Sequence, residues 1–242
     1  MEIELAGIVI EIPVEQASTI AFDREFIVHD EKPSIIIDVN QDDLRQECIQ
    51  LGYFSKDEIP GELKVTPILE RQVHYHKIIE QLPLFSAVLM HGVVISDGKD
   101  AYLFSAPSGT GKTTRACLFI KEHPDYFILN GDKPIIKVEK DQLVACGTPW
   151  KGKEGYGCNA EIPLKAIFFL ERSNEIAIEQ LRLSDAFELL ISQTYLPENP
   201  EAFVRTIHLL KSFGDKVSLF RFYSTPTAES VEAALQAANE MQ

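Results

Sequence analysis

The sequence has no apolar run approaching the roughly 20 residues of a membrane-spanning helix, and its first residues carry no signal-peptide pattern. Positive charge is also scarce. Twenty-three Lys and Arg face 37 Asp and Glu, a formal net charge of −14 at pH 7. Such a deficit argues against the phosphate backbone of DNA or RNA as a partner. The four cysteines, Cys48, Cys117, Cys146 and Cys158, include no C-x-x-C pair. They read as reduced thiols and not as a disulfide framework or a zinc site. Low-complexity tracts, internal repeats and Gly/Ser linkers are missing as well. These absences lead to the expectation of a soluble cytoplasmic protein with neither a membrane nor a nucleic-acid partner.

What is present suffices for a sizeable core: 242 residues, 45% of them hydrophobic. The expected organisation is one domain over residues 1–242 with a β-rich N-terminal portion at 1–66. Ile3–Ile12 alternates as a single strand, Ser34–Asp38 is a second, and Phe22–Val28 is a third candidate. Gln41–Glu47 reads as charged and turn-like, and Leu69–Leu82 as a helix. That helix holds His74 and His76, two residues apart and therefore on different faces, so they read as packing or surface histidines and not as a metal pair. Phe85–Ser96 reads as one long apolar strand interrupted by His91. A hairpin turn at Asp97-Gly98-Lys99-Asp100 follows.

The stretch that organises the rest is Ala106–Thr114, A-P-S-G-T-G-K-T-T, between the strand pattern Ala101–Ser105 and the helix-forming Arg115–Lys121. In that context a phosphate-binding loop has a mechanism, because inward backbone N–H groups and the helix N-terminus make a concave anion site. Pro107, Ser108, Gly109, Thr110, Gly111, Lys112, Thr113 and Thr114 are the candidate nucleotide-binding residues. Lys112 would reach the outer phosphates, and the Thr113 hydroxyl would ligate a magnesium ion.

Downstream, Tyr126–Asp132 is an aliphatic strand ending in an acid, a pattern that places a carboxylate near the loop's magnesium. Thr148–Asn159 carries glycines at 152, 155 and 157, together with Lys151 and Lys153. It reads as a segment that closes over phosphates or substrate. The strands at Lys133–Val138, Leu143–Gly147, Leu164–Glu171, Glu175–Leu181 and Lys216–Tyr223 do not alternate regularly with helices. A doubly wound fold and a mechanical NTPase are therefore disfavoured.

His91-Gly92-Val93 before the loop, Ser108–Thr114 within it and Asn130-Gly131-Asp132 after it together resemble the HPr serine kinase family. They also resemble the core of ATP-dependent phosphoenolpyruvate carboxykinase. The resemblance implies a mixed α/β fold, a carboxykinase-like mixed β-sheet core with a P-loop and flanking helices. It further implies ATP and Mg2+ as cofactors and phosphoryl transfer to a serine. Carried over to this chain, Lys112 would bind β- and γ-phosphates, Thr113 would ligate magnesium, His91 would assist proton movement, and Asp132 matches the acidic strand end. The kinases usually carry two successive aspartates where this chain has Gly131-Asp132-Lys133, so Asp132 fits either the metal place or the base place. With one acid in that turn, the expectation is that His91 and Asp132 form one hydrogen-bonded unit facing the γ-phosphate.

The expected activity is an ATP-dependent serine kinase of the HPr kinase type, acting on a hydroxyl of a protein, peptide or small molecule. Small relatives in peptide natural-product pathways make a peptide serine one option. The alternative is a nucleotide-binding regulatory or assembly protein of the same fold that has lost transfer. A homo-oligomer is left open.

Overall fold

The computed structural model describes residues 1–13, 23–64 and 66–240. The chain divides into two compact units, Met1–Gln81 and Leu82–Gln242.

In the first unit the expected strand Ile3–Ile12 is a hairpin of β1 (Glu2–Leu5) and β2 (Ile8–Glu11). Ala6 and Gly7 both take positive φ, 54° and 74°, as a tight two-residue hairpin turn requires. The buried positions Ile3 and Leu5 are odd, whereas Ile8, Ile10 and Ile12 are even. This change of phase is the mark of the turn. The Phe22–Val28 candidate shrinks to a 3-10 turn at Arg24–Phe26 and β3 (Ile27–Val28), and Phe22 lies outside the described residues. β4 (Ile35–Ile36) completes a sheet ordered β3-β1-β2-β4.

The turn-like reading of Gln41–Glu47 is corrected to a helix, α1 (Gln41–Gln50). The Asn40 side chain accepts from the N–H groups of Asp42 and Asp43, and the Asp43 carboxylate accepts in return from the Asn40 N–H at 2.9 Å. This capping box, with two acids in the first turn, starts the helix in spite of its charged composition. α2 (Pro67–Gln81) carries the two histidines. His74 is buried with Nδ1 2.8 Å from Glu70 O, and burial pushes its pKa down. His76 Nδ1 lies 2.7 Å from Glu47 Oε2 and links α2 to α1. His74 is thus a packing histidine, and His76 a partly exposed one that ties the two helices together.

The second unit runs β5 (Ala87–Leu89), β6 (Val93–Ser96), β7 (Ala101–Ser105), α3 (Lys112–Glu122), β8 (Phe127–Asn130), β9 (Ile135–Val138), β10 (Leu143–Cys146), β11 (Glu161–Glu171), β12 (Ala177–Gln180), α4 (Leu183–Ser192), α5 (Pro200–Lys211), β13 (Ser218–Tyr223) and α6 (Ala228–Glu240). Its strands form one curled mixed sheet ordered β5-β9-β10-β11-β7-β6-β8, with β13 joined to β11 and β12. β11 is the hinge of this pattern. Its first residues pair antiparallel with β10, and its later ones run parallel to both β7 and β13.

The expected long strand Phe85–Ser96 is broken at Met90–Gly92. There Met90, His91 and Gly92 donate their N–H groups to Pro134, Gln193 and Asp132 instead of continuing one ladder. The chain thus leaves β9 on one side of the break and joins β7 and β8 on the other. A Cβ at Gly92 would stand 2.9 Å from the backbone oxygen of Phe104 as well as 2.5 Å from Leu103 Cδ1, so the crossing favours glycine.

Alternate residues of β11 feed two cores. Ile167 and Phe169 pack with Ala186, Leu190 and Leu210 of α4 and α5. Phe168 and Leu170 pack with Phe119, Val231 and Ala234 of α3 and α6. Phe168 stacks between Phe104 and Phe220, with both ring centroids at 5.0 Å. Phe168→Ala should cost about 3–5 kcal/mol, because the stack cannot collapse into the space. Chemical denaturation should show the midpoint shift, and a loss below about 1 kcal/mol would contradict this packing.

Candidate functional site

Sheet order explains why three separate motifs meet. β6 lies between β7 and β8 and is antiparallel to both. Its first residue therefore sits beside the ends of its neighbours: Val93 pairs with Phe104 and Val94 with Asn130. His91 just before β6, the loop just after β7 and Asp132 just after β8 consequently face one cavity of about 540 Å³. It is lined by His91, Ser108, Gly109, Gly111–Thr114, Gly131, Asp132, Gly152, Lys153 and Glu154.

The loop turns on Gly109 (φ 81°) and on Gly111 (φ 105°), the cap residue of α3, with no side-chain cap bond at that end. The first N–H groups of a helix lack intrahelical acceptors, so an uncapped end lining a cavity is suited to an anion. Pro107 and Thr110 are not among the lining residues; the Thr110 hydroxyl donates to Pro107 O at 2.8 Å. Lys112 is nearly buried and donates from Nζ to Ala106 O at 2.7 Å and Pro107 O at 3.3 Å. Burial lowers its pKa, and the charge of Asp132 opposes that shift.

Behind the loop, Arg115 is buried and has no carboxylate partner among the described residues. It donates to Ser224 Oγ (2.6 Å) and Ser230 Oγ (2.9 Å), and its guanidinium lies over the Phe222 ring at 4.5 Å. Desolvation pulls its pKa down to about 10. These contacts fasten the first turn of α3 to the end of β13 and the first turn of α6.

Asp132 is held by its backbone. Asn130, fully buried, accepts at Oδ1 from the N–H groups of Asp132 (3.0 Å) and Lys133 (2.7 Å). Its amide donates to Thr148 Oγ1 at 2.9 Å, and that hydroxyl donates to Lys133 O at 2.7 Å. The expected hydrogen bond between His91 and Asp132 is not formed. Nε2 and Oδ1 are 3.6 Å apart, beyond hydrogen-bond range. Desolvation, then the neighbouring Lys112, lowers the His91 pKa, with Asp132 pulling the other way. Burial therefore favours the neutral imidazole, the form able to accept a proton.

The glycine-rich stretch is tied down at its base. Cys158 N–H donates to Leu129 O at 3.1 Å and Gly131 N–H to Tyr156 O at 3.0 Å. Lys153 reaches the cavity wall, whereas Lys151 is not among the lining residues. Two further residues escape a reading of motifs. Glu154 lines the cavity beside Lys153. Arg172, just past the end of β11, donates to Gly109 O of the loop. Its only sequence signal is a cation at the end of a strand, which gains meaning once β11 is known to lie beside β7.

A Cβ on Gly131 would stand 2.8 Å from Lys151 O and 3.0 Å from Tyr156 O. The place where a first aspartate of a successive pair would project is therefore filled by backbone. Gly131→Asp should not add a usable acid; it should lower stability by about 1–3 kcal/mol through overpacking. Thermal unfolding checks this, and an unchanged melting temperature would count against the packing.

No protein-family model and no curated protein matches the sequence. Among solved structures, the chain is similar to the HPr(Ser) kinase/phosphatase from Coxiella burnetii, over 63% of this chain and 95% of that one. The identity is 10% and the TM-score 0.35. No helix among the described residues is long and apolar enough to cross a membrane.

Proposed function

We propose that the protein is an ATP- and magnesium-dependent kinase that transfers the γ-phosphoryl group to a serine or other hydroxyl of a protein, peptide or small molecule. One observation carries this reading. A single cavity gathers the uncapped N-terminus of α3, the Lys112 ammonium, the Thr113 and Thr114 hydroxyls, His91 and the Asp132 carboxylate. An isolated phosphate loop would support binding alone; a carboxylate opposite the loop, at the end of the strand two places away, supports transfer.

The donor set suits the proposed ligands. Backbone N–H groups and a lysine match phosphate oxygens, and a hydroxyl with a carboxylate matches the hard oxygen preference of magnesium. Thr113 and Asp132 would hold the ion, which supplies charge neutralisation between the phosphates. Lys112 would exchange its two carbonyl acceptors for phosphate oxygens, a stronger partner for a cation kept in a partly dry site. Phosphoryl transfer through a loose transition state depends mainly on such positioning and electrostatics, which a rigid strand-end constellation provides.

The second reading is a nucleotide-binding regulatory or assembly protein without transfer. It is favoured by the backbone that fills the space beside Gly131, leaving Asp132 as the only acid of that turn. A binding titration with ATP, ADP and AMP in magnesium tests the part common to both readings. Saturable binding of ATP and ADP, with AMP much weaker, is expected because the loop grips the outer phosphates. No ATP binding would overturn both.

A further inference from the structure

We infer that Glu154 is the proton acceptor of this site, the carboxylate that the strand turn itself cannot supply. The inference rests on the kinase reading above and deepens it. It starts from a geometric coincidence at the glycine-rich loop. The backbone of that loop, through Lys151 O and Tyr156 O, occupies the side-chain space of Gly131. The same loop then turns through Gly152 and delivers Glu154 to the cavity wall. A Cβ placed on Gly152 would lie 3.6 Å from Asp132 Cγ and 3.7 Å from Glu154 Oε2, so one point of the wall is within 4 Å of both carboxyl groups. The segment that excludes a second acid from the strand end thus carries one of its own to the neighbourhood of Asp132.

The alternatives within the cavity are weaker. His91 is not hydrogen-bonded to Asp132, so that carboxylate does not orient its ring toward an incoming hydroxyl. Lys112 and Lys153 are cations. Asp132, with Thr113, is engaged on the metal in the proposed arrangement. Glu154 sits on the exposed rim of the cavity, where an acceptor hydroxyl must enter. The anchoring bonds at Gly131 and Cys158 fix the base of the loop, so the rim carboxylate is delivered by a held backbone and not by a free arm. As the acceptor oxygen forms its bond to the γ-phosphorus, the bond from that phosphorus to the β-phosphate oxygen breaks. ADP leaves with the electron pair, and the hydroxyl proton passes to the Glu154 carboxylate.

The test uses the full chain with Glu154→Gln, which keeps size and polarity, and Glu154→Asp, which keeps the carboxylate. Magnesium-ATP affinity is measured by titration. Transfer from γ-labelled ATP is measured to water and to a panel of serine-containing peptides. The Gln variant should bind magnesium-ATP as tightly as the wild type or more tightly, since a negative group is removed from beside the phosphates. Its transfer should fall about a hundredfold or more, the span of a general base, and the Asp variant should recover part of it. Full transfer by Glu154→Gln overturns the inference and leaves the kinase reading intact. Affinity lost in proportion to transfer also overturns it, because Glu154 would then hold the nucleotide and its metal. A wild type that binds ATP but transfers to no acceptor overturns the kinase reading, and this inference with it.

Discussion

Lys112→Met should abolish the gain that ATP has over AMP in binding and lower phosphoryl transfer by about a hundredfold to a thousandfold, the cost of removing one preorganised electrostatic contact. Methionine keeps an unbranched stem in the space that Lys112 fills, so packing is largely retained. What disappears is the ammonium that now bonds Ala106 O and Pro107 O. Losing those partners leaves two loop carbonyls less satisfied, at about 1–3 kcal/mol if they stay dry. A melting curve separates that penalty from the functional loss. If Lys112→Met bound ATP like the wild type, the loop would not be gripping outer phosphates, and its sequence match would be incidental.

Asp132→Asn should have the second large effect, with a different signature. The amide is the same size and can keep the turn, because the turn is fixed by Asn130 accepting from the N–H groups of residues 132 and 133 and by the bond from Asn130 to Thr148. Folding should therefore be nearly unaffected. Nucleotide affinity without magnesium should hold or rise slightly, since a carboxylate facing the phosphates is gone. The increase in affinity on adding magnesium should vanish, and transfer should fall about a hundredfold to ten-thousandfold. Turnover at saturating ATP and magnesium checks the claim; unchanged turnover would remove Asp132 from the site's chemistry.

The parts legible in the sequence are those whose meaning is local. The Asp97–Asp100 turn and the strand Ala101–Ser105 follow from consecutive residues and the structure places them as read, whereas the helix expected over Arg115–Lys121 already begins at Lys112. The corrected parts depend on signals that composition hides. Ala6-Gly7 looks like two small residues in a strand, and only the change of phase from Leu5 to Ile8 shows the hairpin. Gln41–Gln50 looks like a charged loop until Asn40 and Asp43 are read as a reciprocal cap. Met90–Gly92 lies inside what reads as one strand, yet it changes partners because Pro134, Gln193 and Asp132 draw its N–H groups out of the ladder.

The site divides in the same way. His91, Lys112 and Asp132 carry recognisable neighbours, and one fact of topology, β6 lying between β7 and β8, brings them together. Arg172 and Glu154 carry no such neighbours. Arg172 depends on β11 running parallel beside β7 some 60 residues later. Glu154 depends on a loop whose backbone docks where a side chain at 131 would stand. Neither relation has a spacing that a sequence alone could show.

The central claim is phosphoryl transfer at this cavity, and transfer of label tests it most directly. Wild-type protein and the Asp132→Asn variant are incubated with γ-labelled ATP and magnesium, in the presence of serine-containing peptides. The account predicts stable label on a peptide hydroxyl with the wild type and close to none with the variant. Tight nucleotide binding with label on no acceptor, or equal labelling by both proteins, would contradict it.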